Sequence, residues 1–237
     1  MSLKTRFKNL GNILAQEEAQ TDVFVLDGPI LTNGMYERMG DVLGKASVAH
    51  IDCTTSPAIT GTPGTALRAA LARIAKETCD AVRAGASHVI LSDAEQSADK
   101  MPVPMILATG GVHRQLIEEG LRSRCSITVR SGECVDSHYT AVLIGVGATT
   151  VNPYLALETL ASRHEAGRYK GFSLADCVHN YKKAVEAVLL KIMSKMGVSV
   201  LSASRGGCNF ETLGLSRTLV AEFVPDISSR VSGLGLP

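Results

Sequence analysis

Apolar residues in this chain come in two rhythms. Short runs of strand length, bounded by Gly, Pro, Ser or Asn, stand between longer segments with a helical period. The runs are GPILT (28–32), SVAHIDCT (47–54), HVILSD (88–93), PMILAT (104–109), SITVRS (126–131), TTVN (149–152) and VSVLS (198–202). Most are rich in β-branched residues, as strands are. Thr62-Pro63 opens a helix with Leu67, Leu71, Ile74, Thr78 and Val82 on one face and Gly85 as its stop. Gly110-Gly111 is expected to turn the 104–109 strand into a helix that Gly120 ends. Residues 138–146 read as a helix closed by Gly147, and Pro153 starts the next. Ser173-x-x-Asp176 is a capping box ahead of Leu174, Val178, Tyr181, Val185, Val188, Ile192 and Met196, with Gly197 as terminator. Residues 208–213 and 216–223 are predicted as two short helices.

Strands that alternate with helices predict a parallel β/α architecture. Either an open doubly wound sheet or an incomplete barrel satisfies the pattern. Residues 1–22, polar and basic and then glutamate-rich, read as an N-terminal arm or lead-in, with one domain over 23–237. The 237 residues are 45% hydrophobic, with 4% aromatics and no Trp. One substantial core of Ala, Val, Leu and Ile follows. A net charge of +1 gives no nucleic-acid footprint. The six Cys show no CxxC spacing and read as reduced core residues of a cytoplasmic protein. No stretch has membrane-spanning length, and MSLKTRFKNLGN lacks the apolar centre of a signal peptide.

Thr109-Gly110-Gly111 is the first place to expect a phosphate at a helix N-terminus, against the plainer role of a tight turn. The full dinucleotide fingerprint is missing. His113, expected near the C-terminal rim of the 104–109 strand, and His138 are acid–base candidates, with structural hydrogen bonding the favoured reading. His50 reads as a satisfied core group. His88, His164 and His179 read as peripheral. Asp52, Asp93, Asn152 and Arg205 end strands or follow them. They would form a rim pocket in an enzyme, but capping and loop-tying, or pairing with Arg114 and Arg122, is favoured. Lys182, Lys183, Lys191 and Lys195 fall on a wet helix face.

The wording of the chain resembles one family throughout. LDGPILTNGMYERM, AVRAGASHVILSD, PMILATGGVHRQLIEEGLRSRCSI, GVGATTVNPYLALET and NYKKAVEAVLLKIMSKMGVSVL are similar to phrases of the central domain of the glutamate synthase large chain. Departures are Arg205-Gly206-Gly207-Cys208-Asn209-Phe210 where the family has RGAQ(I)F, Gly111 for Ala, Val146 for Tyr, and Tyr139 where a second His is common. The resemblance implies a rudimentary parallel β/α barrel, a relative of the FMN-binding TIM barrel, set between amidotransferase and FMN domains. The parent oxidoreductase converts glutamine, 2-oxoglutarate and a reductant to two glutamates, in nitrogen metabolism. An N-terminal Cys nucleophile, an iron–sulfur cluster and FMN do its chemistry. Their motifs are not in these residues, so the chain is expected to hold no cofactor or metal and to be noncatalytic alone. The ending at GLGLP is expected to be a domain boundary. The alternative is a stand-alone β/α ligand-binding protein or enzyme with a polar rim pocket, for which Thr109, Gly110, Gly111, His113 and Asn152 are the candidates.

Overall fold

The computed structural model describes residues 1–8, 10–12, 14–56, 63–225 and 227–236. In chain order the elements are β1 (Thr5–Phe7), β2 (Phe24–Leu26), α1 (Asn33–Glu37), α2 (Met39–Leu43), β3 (Val48–Asp52), β4 (Thr54–Thr55), α3 (Pro63–Arg83), β5 (His88–Ser92), β6 (Met101–Pro102), α4 (Met105–Glu118), β7 (Ser126–Arg130), α5 (Ser137–Gly145), β8 (Thr150–Asn152), α6 (Tyr154–Glu165), α7 (Leu174–Met196), β9 (Glu211–Leu215), α8 (Arg217–Phe223) and β10 (Ser228–Leu234). The Thr62 cap lies outside the described residues.

Among the described residues the main sheet is β3-β5-β7-β8, parallel throughout. The chain lays down neighbours in order, and α3 packs on α4 and α4 on α5. Helices stacked in sequence along one face are the winding of a barrel; a doubly wound sheet reverses its strand order. Residues 29–31 add one parallel rung beyond β8. Leu31 N donates to Val151 O and Val151 N to Pro29 O, both at 2.9 Å. The result is an incomplete parallel β/α barrel.

Side chains alternate across the sheet. Ile51, Val89, Leu91, Ile127, Val129 and Val151 face the helices. There they join Leu71 and Ile74 of α3, Leu116 of α4, and Leu143 and Ile144 of α5 in one core. The opposite face carries His50, His88, Thr128, Thr150, Arg130 and Asn152, with Val48 and Ile90 as its apolar members; His50, expected in the core, is exposed because it lies on the edge strand β3. Two cross-strand hydrogen bonds tie its centre, His88 Nε2 to Thr128 Oγ1 at 3.0 Å and Thr128 Oγ1 to Thr150 Oγ1 at 2.7 Å, while His88 Nδ1 has no partner among the described residues. The N-terminal strand covers this wall. Phe7 is buried with its ring 5.2 Å from His88, and it packs with Leu31, Met39 and Leu43. The arm therefore supplies core residues (Leu3, Thr5 and Phe7 are buried), which its polar composition hides.

Several expected elements differ. Residues 104–109 form no strand: Pro104 precedes α4, and Met105 N donates to Glu133 Oε2 at 3.0 Å. A short apolar run fits a buried helix turn as well as a strand. Gly110-Gly111 thus lies inside α4. Its role there is close packing, since a Cβ on Gly110 would stand 2.7 Å from Phe223 O and 2.2 Å from Val224 Cγ1. The 198–202 strand reduces to one bridge, Ser2 to Val200, running into a 3-10 turn over Leu201–Ser204. The 208–213 helix is extended chain instead. Cys208 takes a left-handed φ of 53°, and β9 then pairs in parallel with β10. On α7 the buried stripe is Cys177, Val185, Leu189 and Met193, whereas Leu174 and Val188 are exposed. The helix turns that stripe toward α5 and α6.

Gly110→Ala is expected to cost about 1–2 kcal/mol in urea unfolding, because the clash outweighs the gain in helix propensity. Gly111→Ala, which meets only the edge of the Phe223 ring at 3.4 Å, is expected to be neutral or stabilising. Equal effects from the two would contradict the close-packing account.

Candidate functional site

The parallel register sets one row of polar side chains at the C-terminal strand ends: Asp52, Ser92, Arg130 and Asn152. In a β/α barrel this is the functional end. Each strand stops there because a polar residue and then a turn interrupt its apolar run. Asp52 accepts from Thr54 N at 2.9 Å and Thr54 Oγ1 at 2.8 Å, with Lys100 Nζ 3.5 Å away. Partial burial opposes the charge, but the Thr54 bonds and Lys100 hold the carboxyl below its ordinary range. Asp93 is buried beside the row. It accepts from Ser131 Oγ at 2.9 Å and Gly132 N at 3.0 Å. Burial still pushes its carboxyl up, and those bonds oppose the shift.

Asn152 is fully buried and donates Nδ2 to Leu31 O at 2.9 Å and to Asn33 Oδ1 at 3.0 Å. It ties the added rung and the start of α1 to the sheet. Among the described residues its Oδ1 has no partner. Across the ladder, the Arg130 guanidinium carbon lies 4.5 Å from the Tyr36 ring centroid and 5.0 Å from that of Tyr154. Gln96 Nε2 fixes the Tyr154 hydroxyl at 2.9 Å. A cavity of about 470 Å³ opens at the β3 edge of this rim, lined by Asp52, Thr54, Arg73 and Lys100 among others.

Asp52 and Asn152 stand at the rim as expected, with Asp93 beside them, but Thr109, Gly110, Gly111 and His113 do not. Thr109, Gly110 and Gly111 are inside α4, where the helix's own ladder uses interior N–H groups, so they do not form a phosphate cradle. His113 lies in the helical layer. Its Nδ1 accepts from Arg122 Nε at 2.8 Å, while Arg122 also donates to Cys125 O and Gly147 O, each at 2.8 Å. Arg205 belongs to this cluster, not to the rim: Gly206 N anchors on Gly145 O at 2.9 Å, and the Arg205 charge acts on His113. His138 packs edge-on against Phe210 at 6.1 Å. His88, expected to be peripheral, is fully buried. Arg130, Tyr36 and Tyr154 escaped the sequence reading. The one available signal was a charged residue closing the apolar run SITVR.

The thiols do not fit an iron–sulfur cluster. Five of the six Cys are buried singly, and burial pushes Cys53 up to about 12 and Cys125 and Cys134 up to about 11. Among the described residues no group of three His, Cys, Asp or Glu is placed to hold a metal, and no helix is long and apolar enough to cross a membrane.

The glutamate synthase central domain model matches residues 1–216. The glutamate synthase [NADPH] large chain of Azospirillum brasilense is 53% identical over 100% of this chain and 15% of that protein. The ferredoxin-dependent glutamate synthase 1, chloroplastic/mitochondrial, of Arabidopsis thaliana is 35% identical over 99% of this chain and again 15% of that protein. The chain thus spans about 15% of the length of these relatives. Among solved structures, a mutant flavocytochrome b2 with pyruvate bound is 15% identical over 55% of this chain and 31% of its own, at a TM-score of 0.47. Overlap this partial does not define a fold; the strand order does.

Two outcomes follow from the buried groups. Burial holds His88 and His113 down at about 3 in the fold, against an ordinary value of 6.5 when unfolded. Between those values the unfolded chain binds more protons, so stability is lost as pH falls through 6.5. Urea melts at about pH 5 and pH 7.5 should differ by up to about 2 kcal/mol per histidine. His88→Gln or His113→Gln should flatten that slope, and a slope unchanged in both variants would refute the assignment. Separately, an aromatic disulfide reagent should label Cys208, the exposed thiol, rapidly and the other five only in denaturant. Fast native labelling of Cys53 or Cys125 would contradict this packing.

Proposed function

This chain belongs to the glutamate synthase central domain family, and we propose that it acts there as a connecting and supporting domain. It would hold the amidotransferase and FMN domains of the same enzyme in register and help shape the path that ammonia takes between them. The parent would be a cytoplasmic oxidoreductase of ammonia assimilation, with FMN and the iron–sulfur cluster carried by its other domains. One observation carries this reading. With the exception of Arg130, the charged and amide side chains at the strand ends are engaged in internal ties. Asp93 fastens the turn after β7, Asp52 the turn after β3, and Asn152 the rung beyond β8. Groups so committed position loops and leave no free acid or base over a substrate. Exposed apolar side chains on β9 and β10, Leu213 and Leu234 above all, give a neighbouring domain something to cover.

The experiment is made on the polypeptide alone. Equilibrium dialysis with FMN, followed by the visible spectrum, should leave the protein colourless, and incubation with glutamine should release no ammonia above a protein-free control. A retained flavin band or glutamine turnover would overturn the proposal. It would favour instead a stand-alone β/α enzyme using the rim.

A further inference from the structure

We infer that Arg130 is a carboxylate-binding site, presented at the C-terminal rim of the sheet and not engaged by this chain's own acids. The side chain makes no hydrogen bond or ion pair within the described residues, and its Nε is buried without a partner. Other arginines of the fold behave differently. Arg73 donates to Asp52 O and Thr54 O, Arg114 to Glu222 O, and Arg122 to Cys125 O and Gly147 O. The neighbouring acids are otherwise engaged. Asp93 is held by Ser131 and Gly132, Asp52 by Thr54 and Lys100, and Glu133 by Met105 N and the Tyr139 hydroxyl.

Two features make the rim receptive to an anion. Tyr36 and Tyr154 fix the guanidinium between two rings, which pre-orients it at little cost in side-chain freedom. Helix α6 begins at Tyr154, two residues after the strand end, and no side chain caps its first N–H groups. Its positive end therefore adds to the same field. A planar carboxylate matches the planar fork of a stacked guanidinium, two parallel bonds at a time. A phosphate site usually recruits a second cation, and neither Lys nor another Arg is bonded into this clamp. The source of the carboxylate is a free small diacid or an Asp or Glu side chain from a neighbouring protein segment.

The test is a ¹H–¹⁵N titration of the full chain that follows the arginine Nε–Hε resonances and, as reporters that persist in Arg130 variants, the backbone amides of Tyr36, Ser131 and Tyr154 beside the site. Acetate and succinate are added at constant ionic strength, with chloride and inorganic phosphate as separate arms. The Arg130 resonance is expected to shift saturably with a carboxylate and not with chloride. Arg130→Lys, which keeps the charge but not the fork, should weaken binding about tenfold. Arg130→Gln should abolish the response. If that variant does not fold, the wild-type titration and the Lys variant decide. Equal affinity for acetate and succinate identifies a lone side-chain carboxylate as the natural partner; a clear preference for succinate identifies a free diacid. A shift matched by chloride, a response to phosphate without one to acetate, or no saturation would each overturn the site. None of these results depends on flavin or glutamine, so the site and the connector reading can fail separately.

Discussion

A parallel sheet has two faces to bury, and the rest of this molecule is arranged around burying them unequally. The face toward α3, α4 and α5 is uniformly apolar, and burial of that kind contributes on the order of 25 cal/mol per Å². The other face carries His88, Thr128 and Thr150 through its middle, beside Ile90, with His50 exposed on the edge strand. A buried hydroxyl without a partner costs about 1–3 kcal/mol, so the cross-strand bonds of Thr128 to His88 and Thr150 stabilise the wall. Those bonds run between strands in register, so they also fix the register. Phe7 then closes the wall with a ring over His88. The N-terminal strand thus closes the end of the sheet opposite the rim.

How much of this is legible in the sequence depends on whether the deciding contact is local. The strands at 48–52, 88–92, 126–130 and 150–152 announce themselves, because β-branched runs bounded by polar or glycine residues have few other uses. The 104–109 run does not. Its apolar residues are too few to show a period, and Gly110-Gly111 reads as a turn until the end of α8 is seen against it. The α7 stripe was displaced for a related reason: several apolar positions compete, and only contact with α5 and α6 selects Cys177, Val185, Leu189 and Met193. At the rim, Asn152 was readable as a polar end to an apolar run. The clamp on Arg130 was not, since Tyr36 and Tyr154 approach it from distant positions before and after it in the chain.

The fold contains two quite different answers to placing an arginine inside. Arg122 is buried and solvated by backbone, giving its protons to two carbonyls and to a neutral imidazole. That arrangement holds the charge without an acid because carbonyl dipoles replace water, and it keeps His113 unprotonated. Gly147 makes it possible. Its φ of +128° and missing Cβ let the backbone come close to His113, where a Cβ would stand 2.5 Å from the imidazole. Departures from the family wording near Arg205 fall beside this cluster and leave it intact.

Among the described residues Arg130 bonds neither a carbonyl nor an acid. Stacking on two tyrosines contributes about 0.5–2 kcal/mol, and only through the faces of the guanidinium. It leaves the N–H edge unsatisfied, and that edge is where a carboxylate bonds most strongly. A residue retained for packing alone would be served by Lys or Met, whose stems fill the same gap without presenting a rigid fork. The clamp thus separates two tasks on one side chain: aromatic faces supply placement, and the free edge supplies recognition. That division lets a rim whose other acids are tied into loops still engage something beyond this chain, without requiring a cavity beneath it.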